Sequence, residues 1–550
     1  MRIIQQLGNL TTQAIAGTHV VLLGWSMTEA NSHDVLGFAI HRTDHTENEA
    51  YWLEGTKVFA ETDLGTSKAS LRSHPVQGFT WSDFSAKPGH DYTYRMVALK
   101  GSPKSLKEED EIAIRVQTEK EDNGQHEVWF NRGAAASQEY AYRFKNQSPE
   151  AVGKPAFDWL SRGLMEALLE FLSRAEDSEW QLRVAAYQFT DEVVLEALKK
   201  ANDQGVDVRI IYDGRDPDVS RTNDAAVQRI GIDGLCEKRI ANPSAIAHNK
   251  FIVLLKGHKP QAVFTGSTNI SIGGIFGHSN VGHVVNDGAV ASAYLDYWNL
   301  LVADPDSVSL RSDVERLTPT PDSSDSSEKG SIVLFSPRSG LKLLSWYAQQ
   351  AAAAQSMLCM AFAFGINKAF IPVFETPFSG LRYGLLDNDG NRPEQEAEVL
   401  RLRKLPFNRF AIGSTIRVNS FDKWLKEKLS GLNSHVPYIH TKFMLIDPLG
   451  PAPIVVTGSA NFSNASTNAN DENMLVIKGN TTVADIYLTE FFRLWNHYAF
   501  REWASKNQDN PNVKPQFLKT DDSWRNIYFG DTEQSRQRVL FSGIGFLGTT

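Results

Sequence analysis

Two cassettes constrain this chain more than any other feature: His248-x-Lys250 followed by Gly266-Ser267-x-Asn269, and His440-x-Lys442 followed by Gly458-Ser459-x-Asn461. In each, the histidine precedes the glycine by 18 residues (248 to 266 and 440 to 458), so the same identities recur in register 192 positions apart (248 to 440). Repetition at that distance predicts two units of domain size, whose cassettes would converge on one cleft if the halves pack about a pseudo-twofold axis. Each His-x-Lys is followed by an apolar run, Phe251 to Leu255 and Phe443 to Ile446, so each opens a buried strand whose alternation puts its histidine and lysine on one face. Paired imidazoles, ammonium groups and amides converging on one cleft suit a phosphodiester: one ring to attack, one to donate a proton, and donors around the phosphoryl oxygens.

On these residues the chain resembles the phospholipase D superfamily, whose signature is His-x-Lys-x4-Asp and then Gly-Ser-x-Asn in each half of a pseudo-twofold molecule. The second half carries His440, Lys442, Asp447, Gly458, Ser459, Asn461 and the run Asp471-Glu472-Asn473. The first half departs from the pattern. Leu255 stands in place of the Asp, and alignment of Ser279-Asn280-Val281 on Glu472-Asn473-Met474, with a one-residue shift, puts Ser279 in place of the Glu. The resemblance spans roughly residues 130 to 505.

The resemblance implies a phosphohistidine intermediate resolved by water or an alcohol, with no metal and no cofactor. It assigns His248 as nucleophile, His440 as acid, and Glu472 as the carboxylate that orients the nucleophile from across the pseudo-twofold. A Glu472 that served its own half would swap the two roles. Lys250, Lys442, Asn269 and Asn461 would surround the phosphoryl group, with Ser267, Ser459, Gly266 and Gly458 binding substrate beside them. Asp447 is expected to be a structural acceptor near the site, and His278 and His283 to line the pocket. Gly273, Gly274 and Gly277 suggest a mobile loop there. The missing carboxylates of the first half also leave room for a damaged site.

At 550 residues the chain holds about three to four domain-sized units. Its 41% hydrophobic and 22% charged residues are those of a globular protein. A net charge of −9 gives no global signal for nucleic acid. Cys236 and Cys359 are the only cysteines, which excludes a disulfide framework and a Cys-based zinc site. The N-terminus lacks a signal-peptide pattern, and no apolar run reaches the roughly 18 to 20 residues of a membrane span. A cytoplasmic protein, or one exported without a cleavable signal, is expected.

The predicted fold class is α/β: two pseudo-twofold related α/β sandwich halves preceded by an all-β sandwich. Residues 1–122 alternate in short strands such as Val20–Trp25, Leu36–Ile40, Tyr94–Ala98 and Ile112–Val116, and resemble a fibronectin type III domain whose partner is unknown. Residues 130–303 and 332–505 repeat an order of helix, strand, helix and strand. Between them 304–331 is too polar for a core and reads as a linker or loop. Residues 506–550 read as an irregular tail packed on the body by its aromatics.

Three functions fit. The first is a phospholipase D acting as a monomer at a phospholipid or membrane surface, hydrolysing or transferring headgroups; apolar stretches such as Phe370 to Phe374 suit an interfacial enzyme. The second is a metal-independent nuclease or other nucleic-acid phosphodiesterase, for which Arg401, Arg403, Lys404 and Arg409 could form a phosphate track. The third is a catalytically inert binding protein that works through its β-sandwich.

Overall fold

Two seven-stranded sheets of the same strand order carry the duplicated cassettes. The protein is described here by a computed structural model of residues 1–550, apart from 64, 66–67, 123, 134–136, 146, 242–243, 323–328, 389, 391–392, 414–438, 508–516 and 547–550. In the first half the strands run His126–Phe130, Val281–Val285, Lys259–Gly266, Lys250–Lys256, Trp180–Ala186, Asp207–Asp213, Cys236–Arg239 across the sheet. In the second they run Gly330–Ser336, Glu472–Lys478, Ile454–Gly458, Phe443–Ile446, Met357–Phe362, Leu381–Leu386, Asn408–Ile412. The last three strands of each order are mutually parallel and the other neighbours antiparallel, so both sheets are mixed.

The strand Lys250–Lys256 shows why the layers stack as they do. Phe251, Val253 and Leu255 enter one core while Ile252 and Leu254 enter another. Both faces are apolar, and both must be covered. The inner core is shared: it also holds Tyr383, Phe443 and Leu445 of the second half. The helices Gly288–Val302 and Thr481–Asn507 fill it from between the sheets with Tyr294, Trp298, Tyr487 and Trp495. Outside lie the helices Leu164–Ser173 and Glu192–Asp203 on the first sheet and Lys342–Ala352 and Pro393–Arg403 on the second.

The N-terminal part is a sandwich of two four-stranded antiparallel sheets. One is ordered Arg2–Leu7, Leu10–Ala16, Val21–Ser26, Thr80–Asp83; the other Ser105–Gln117, Asp91–Ser102, Val35–Asp44, Glu49–Trp52.

The structure moves three of the sequence-based boundaries. The first sheet starts at His126, ahead of the expected 130, because that strand pairs with Val281–Val285. The 304–331 segment is not a loop throughout: Asp306 accepts from the Val308 and Ser309 amides and starts the helix Ser307–Leu317, whose Leu310 and Val314 reach the shared core. Part of the polar Thr318–Ser327 stretch lies outside the described residues. The tail is not irregular either. Asp522–Tyr528 is a 3-10 helix and Glu533–Phe541 an α-helix, and Trp524 enters the core of the sandwich, donating from Nε1 to Val35 O at 2.8 Å. Among the described residues, no helix is long and apolar enough to cross a membrane.

Candidate active site

The two halves are joined at the residues that precede each catalytic-type histidine. Ala247 pairs with Asp471, and Ile439 with Ser279, as single parallel bridges. A shift of 192 turns one pair into the other (247 to 439, 279 to 471), so these contacts are images about the pseudo-twofold. Behind them, Asp213 Oδ1 accepts the Ala247 amide at 2.6 Å and Asp387 Oδ1 accepts the Ile439 amide at 2.8 Å. Each aspartate ends a parallel strand or directly follows one and fixes the backbone from which a histidine projects.

His248 and His440 meet with ring centroids 6.5 Å apart. Each ring is held from the opposite half. His248 Nδ1 bonds Glu472 Oε2 at 2.9 Å, and His440 Nδ1 bonds Asn280 Oδ1 at 3.0 Å. Nε2 is left as the reactive nitrogen of each ring.

Asn280 is the image of Glu472 (280 to 472). This corrects the alignment that put Ser279 there: the two halves run without the one-residue shift, and Ser279 instead supplies the carbonyl that accepts the His440 amide at 3.2 Å.

The remaining bonds repeat in pairs. Lys250 Nζ donates to His248 O at 2.7 Å and Lys442 Nζ to His440 O at 2.6 Å. Ser267 Oγ donates to Asn280 Oδ1 at 2.8 Å and Ser459 Oγ to Glu472 Oε2 at 2.6 Å. Both serines are fully buried, and their hydroxyls hold the residue that orients a histidine of the other half. Gly266 and Gly458 stand where neighbouring strands come close. A Cβ on them would lie 2.3 Å from Val281 O and 2.2 Å from Asn473 O, and their φ values are +128° and +153°. Glycine is needed there so that neighbouring strands can approach.

Asn269 donates from Nδ2 to Gln188 Oε1 at 3.1 Å, and the buried Oδ1 atoms of Asn269 and Asn461 have no hydrogen-bond partner among the described residues. Each asparagine thus keeps one amide atom for a ligand. Asp447 is a structural acceptor, but it stands at the far end of its strand from Lys442, taking the amides of Gln355, Ser356 and Met357.

His278 packs 5.5 Å from the His440 ring. His283 does not line the pocket: it bonds His126 at 3.0 Å and Tyr487 at 3.0 Å inside the shared core. The glycine loop is a buried π-helical turn, Gly273–Gly277. Tyr187, unmarked by any motif, lies with its ring 5.0 Å from His248. Among the described residues, the one group of three His, Cys or carboxylate ligand atoms within 4.8 Å of one another, Asp44, Glu47 and His90, lies in the sandwich. There Asp44 already accepts the Thr46 and Glu47 amides and bonds His90.

Burial dominates the electrostatics. It pushes His248 down to about 4, against Glu472, which holds the ring up. His440 has no carboxylate partner among the described residues and falls well below its ordinary value, through burial first and the charges of Lys442 and His278 next. Burial brings Lys250 down to about 7 and takes Lys442 well below its usual range. Burial alone would raise Glu472, but His248 and Lys250 hold its carboxyl below the usual range. The site is therefore a desolvated set of four bases with Glu472 bonded to one of them and Asp213 and Asp387 close behind.

Residues 168–301 and 409–495 match the PLD-like domain of cardiolipin synthase. No curated protein sequence matches the chain. Among solved structures, a polyphosphate kinase from Porphyromonas gingivalis aligns over 62% of this chain and 48% of its own, at 12% identity and a TM-score of 0.39. The chain therefore spans about half the length of that protein. Phosphatidylserine synthase from Haemophilus influenzae aligns over 70% of this chain and 92% of its own, at 12% identity and a TM-score of 0.39. Nuc, a phospholipase D family member from Salmonella typhimurium, aligns over 24% of this chain and 84% of its own, at 28% identity and a TM-score of 0.21. The duplicated sheets and the family match define a protein of the PLD-like class. The matched segments of the chain carry the PLD-like domain of the phospholipase D superfamily.

Proposed function

We propose that the protein is a phospholipase D-type phosphodiesterase, acting on phospholipid headgroups by hydrolysis or transfer through a covalent phosphohistidine. The observation that carries this reading is the pair of imidazoles 6.5 Å apart, each bonded through Nδ1 by the other half. One phosphorus midway between them would stand about 3 Å from each ring centre, which puts both rings within reach of it.

His248 is the nucleophile in this reading. Its Nε2 lone pair forms the P–N bond while the P–O bond to the leaving group breaks, and the cation that results faces the Glu472 carboxylate. His440, partnered by a neutral amide, keeps a more acidic proton and gives it to the leaving oxygen. Water or an alcohol then attacks phosphorus, losing its proton to His440, and the P–N electrons return to His248. Lys250 and Lys442 neutralise the phosphoryl oxygens.

The lipid reading is preferred because three of the four residues of the basic cluster that would track a polynucleotide already bond protein partners. Arg401 bonds Glu375 and Glu398, Arg403 bonds Glu502, and Arg409 bonds Gln537. The test is parallel incubation with phosphatidylcholine vesicles, single- and double-stranded DNA and bis-p-nitrophenyl phosphate, without added metal. Choline release is the expected result. Nicked DNA without choline release would replace the lipid reading by the nuclease one, and retention of biological function in His248→Ala would point to a binding protein.

A further inference from the structure

His278 breaks the symmetry of the site. Its image in the other half is Asn470 (278 to 470), whose Oδ1 accepts the Ile246 amide at 3.3 Å and whose Nδ2 lies 3.5 Å from Glu472 Oε1. Asn470 thus serves the backbone before His248 and the carboxylate that orients it. At the matching place in the first half stands a third imidazole, tilted 32° to the His440 ring with centroids 5.5 Å apart.

Its placement is built in. Asn131 Nδ2 donates to both Ile275 O and His278 O at 2.7 Å, and Asn280 Nδ2 donates to Gly274 O at 2.8 Å. A Cβ on Gly133, where φ is +51°, would lie 2.5 Å from His278 O. A Cβ on Gly274 would lie 2.3 Å from Asn269 O. The buried turn is therefore clamped between the Asn269 segment and Asn131, with the His278 ring against His440.

We infer that His278 is a third histidine of the reaction, paired with His440 on the leaving-group side, where it donates a hydrogen bond to the departing oxygen as His440 Nε2 transfers its proton. The inference rests on the function proposed above. One proton moves, from His440 to the leaving oxygen; His278 forms no covalent bond and returns unchanged. Nucleophile and acid sides then differ in kind: carboxylate-backed His248 on one, an imidazole pair on the other. The charge of His278 also opposes protonation of His440, which keeps the acid strong.

The test is His278→Asn, which copies the residue of the other half, with His278→Gln as a second variant should the first fail to fold. Turnover of a p-nitrophenyl phosphodiester, whose leaving group needs little protonation, is compared with that of the corresponding alkyl diester. The alkyl ester is expected to slow by about 10- to 100-fold, with the p-nitrophenyl ester within about threefold of wild type. Loss of the neighbouring charge also raises the proton affinity of His440. The basic limb of the kcat profile, where the acid deprotonates, therefore moves to higher pH. Equal losses on both esters with an unmoved basic limb would show a structural residue and overturn the inference. A wild-type protein inert on both esters would instead overturn the proposed function. NMR titration of the His440 ring with and without His278 would then decide the pairing alone: an unchanged titration rejects it.

Discussion

Replacing Glu472 by glutamine tests the division of labour between the two histidines. The carboxylate is 1% exposed, accepts from Ser459 Oγ at 2.6 Å and lies 2.9 Å from His248 Nδ1. Glutamine keeps the shape and an oxygen for the Nδ1–H, but removes the charge that faces the cationic ring when the P–N bond forms. With charge centres about 4 Å apart and an effective dielectric constant of about 20, that charge contributes about 4 kcal/mol, or roughly a thousandfold in rate. The retained hydrogen bond offsets part of this, so the phosphorylation step should slow by about 10²- to 10³-fold. Rapid-quench release of p-nitrophenolate from bis-p-nitrophenyl phosphate measures the step, with a thermal melt to confirm that Glu472→Gln folds. A rate within about threefold of wild type would refute the electrostatic reasoning. Trapped label on His440 in place of His248 would refute the assignment of roles.

Two further outcomes concern stability. Gly458→Ala places a methyl group 2.2 Å from Asn473 O at a φ of +153° and should cost about 3 kcal/mol or more; denaturant unfolding measures it, and a loss below about 1 kcal/mol would remove the close-approach account of the motif glycine. Acid should destabilise the fold, because burial lowers His126 and His248 from 6.5 to about 4. The unfolded chain takes up protons below pH 6.5 that the native one refuses until about 4, so stability falls across that window, by at most about 3 kcal/mol for each ring. Thermal melts between pH 7 and 4.5 check this, and a midpoint that stays level, or one equally steep in His126→Gln, would contradict it.

The duplication was legible because five identities and their spacing survive in one dimension. His-x-Lys and Gly-Ser-x-Asn are local: a strand start and a strand end with a short turn carry them, so they stay contiguous. The orienting residue was harder. Asn280 shares no side-chain charge with Glu472, and a search for a carboxylate slides past it, although the offset of 192 marks it directly. Asp213 and Asp387 ended two equivalent predicted strands, yet their task of holding the Ala247 and Ile439 amides depends on residues more than thirty positions away. The helix Ser307–Leu317 was hidden by its polarity, since Leu310 and Val314 alone are buried in the core and Leu317 packs against it half-buried.

Sequence alone thus determined that there are two halves, which imidazoles and lysines belong to each, and that a β-sandwich precedes them. Periodicity and repeat spacing are properties of the chain, and they survive without neighbours. The tertiary structure decided which half serves which histidine. Glu472 and Asn280 each reach across the pseudo-twofold, so the site's asymmetry arises where two halves exchange partners. It also turned the motif serines and glycines into supports and set His278 beside His440. Those outcomes follow from close packing and buried hydrogen bonds between strands far apart in the chain, where what a residue does is set by what it touches.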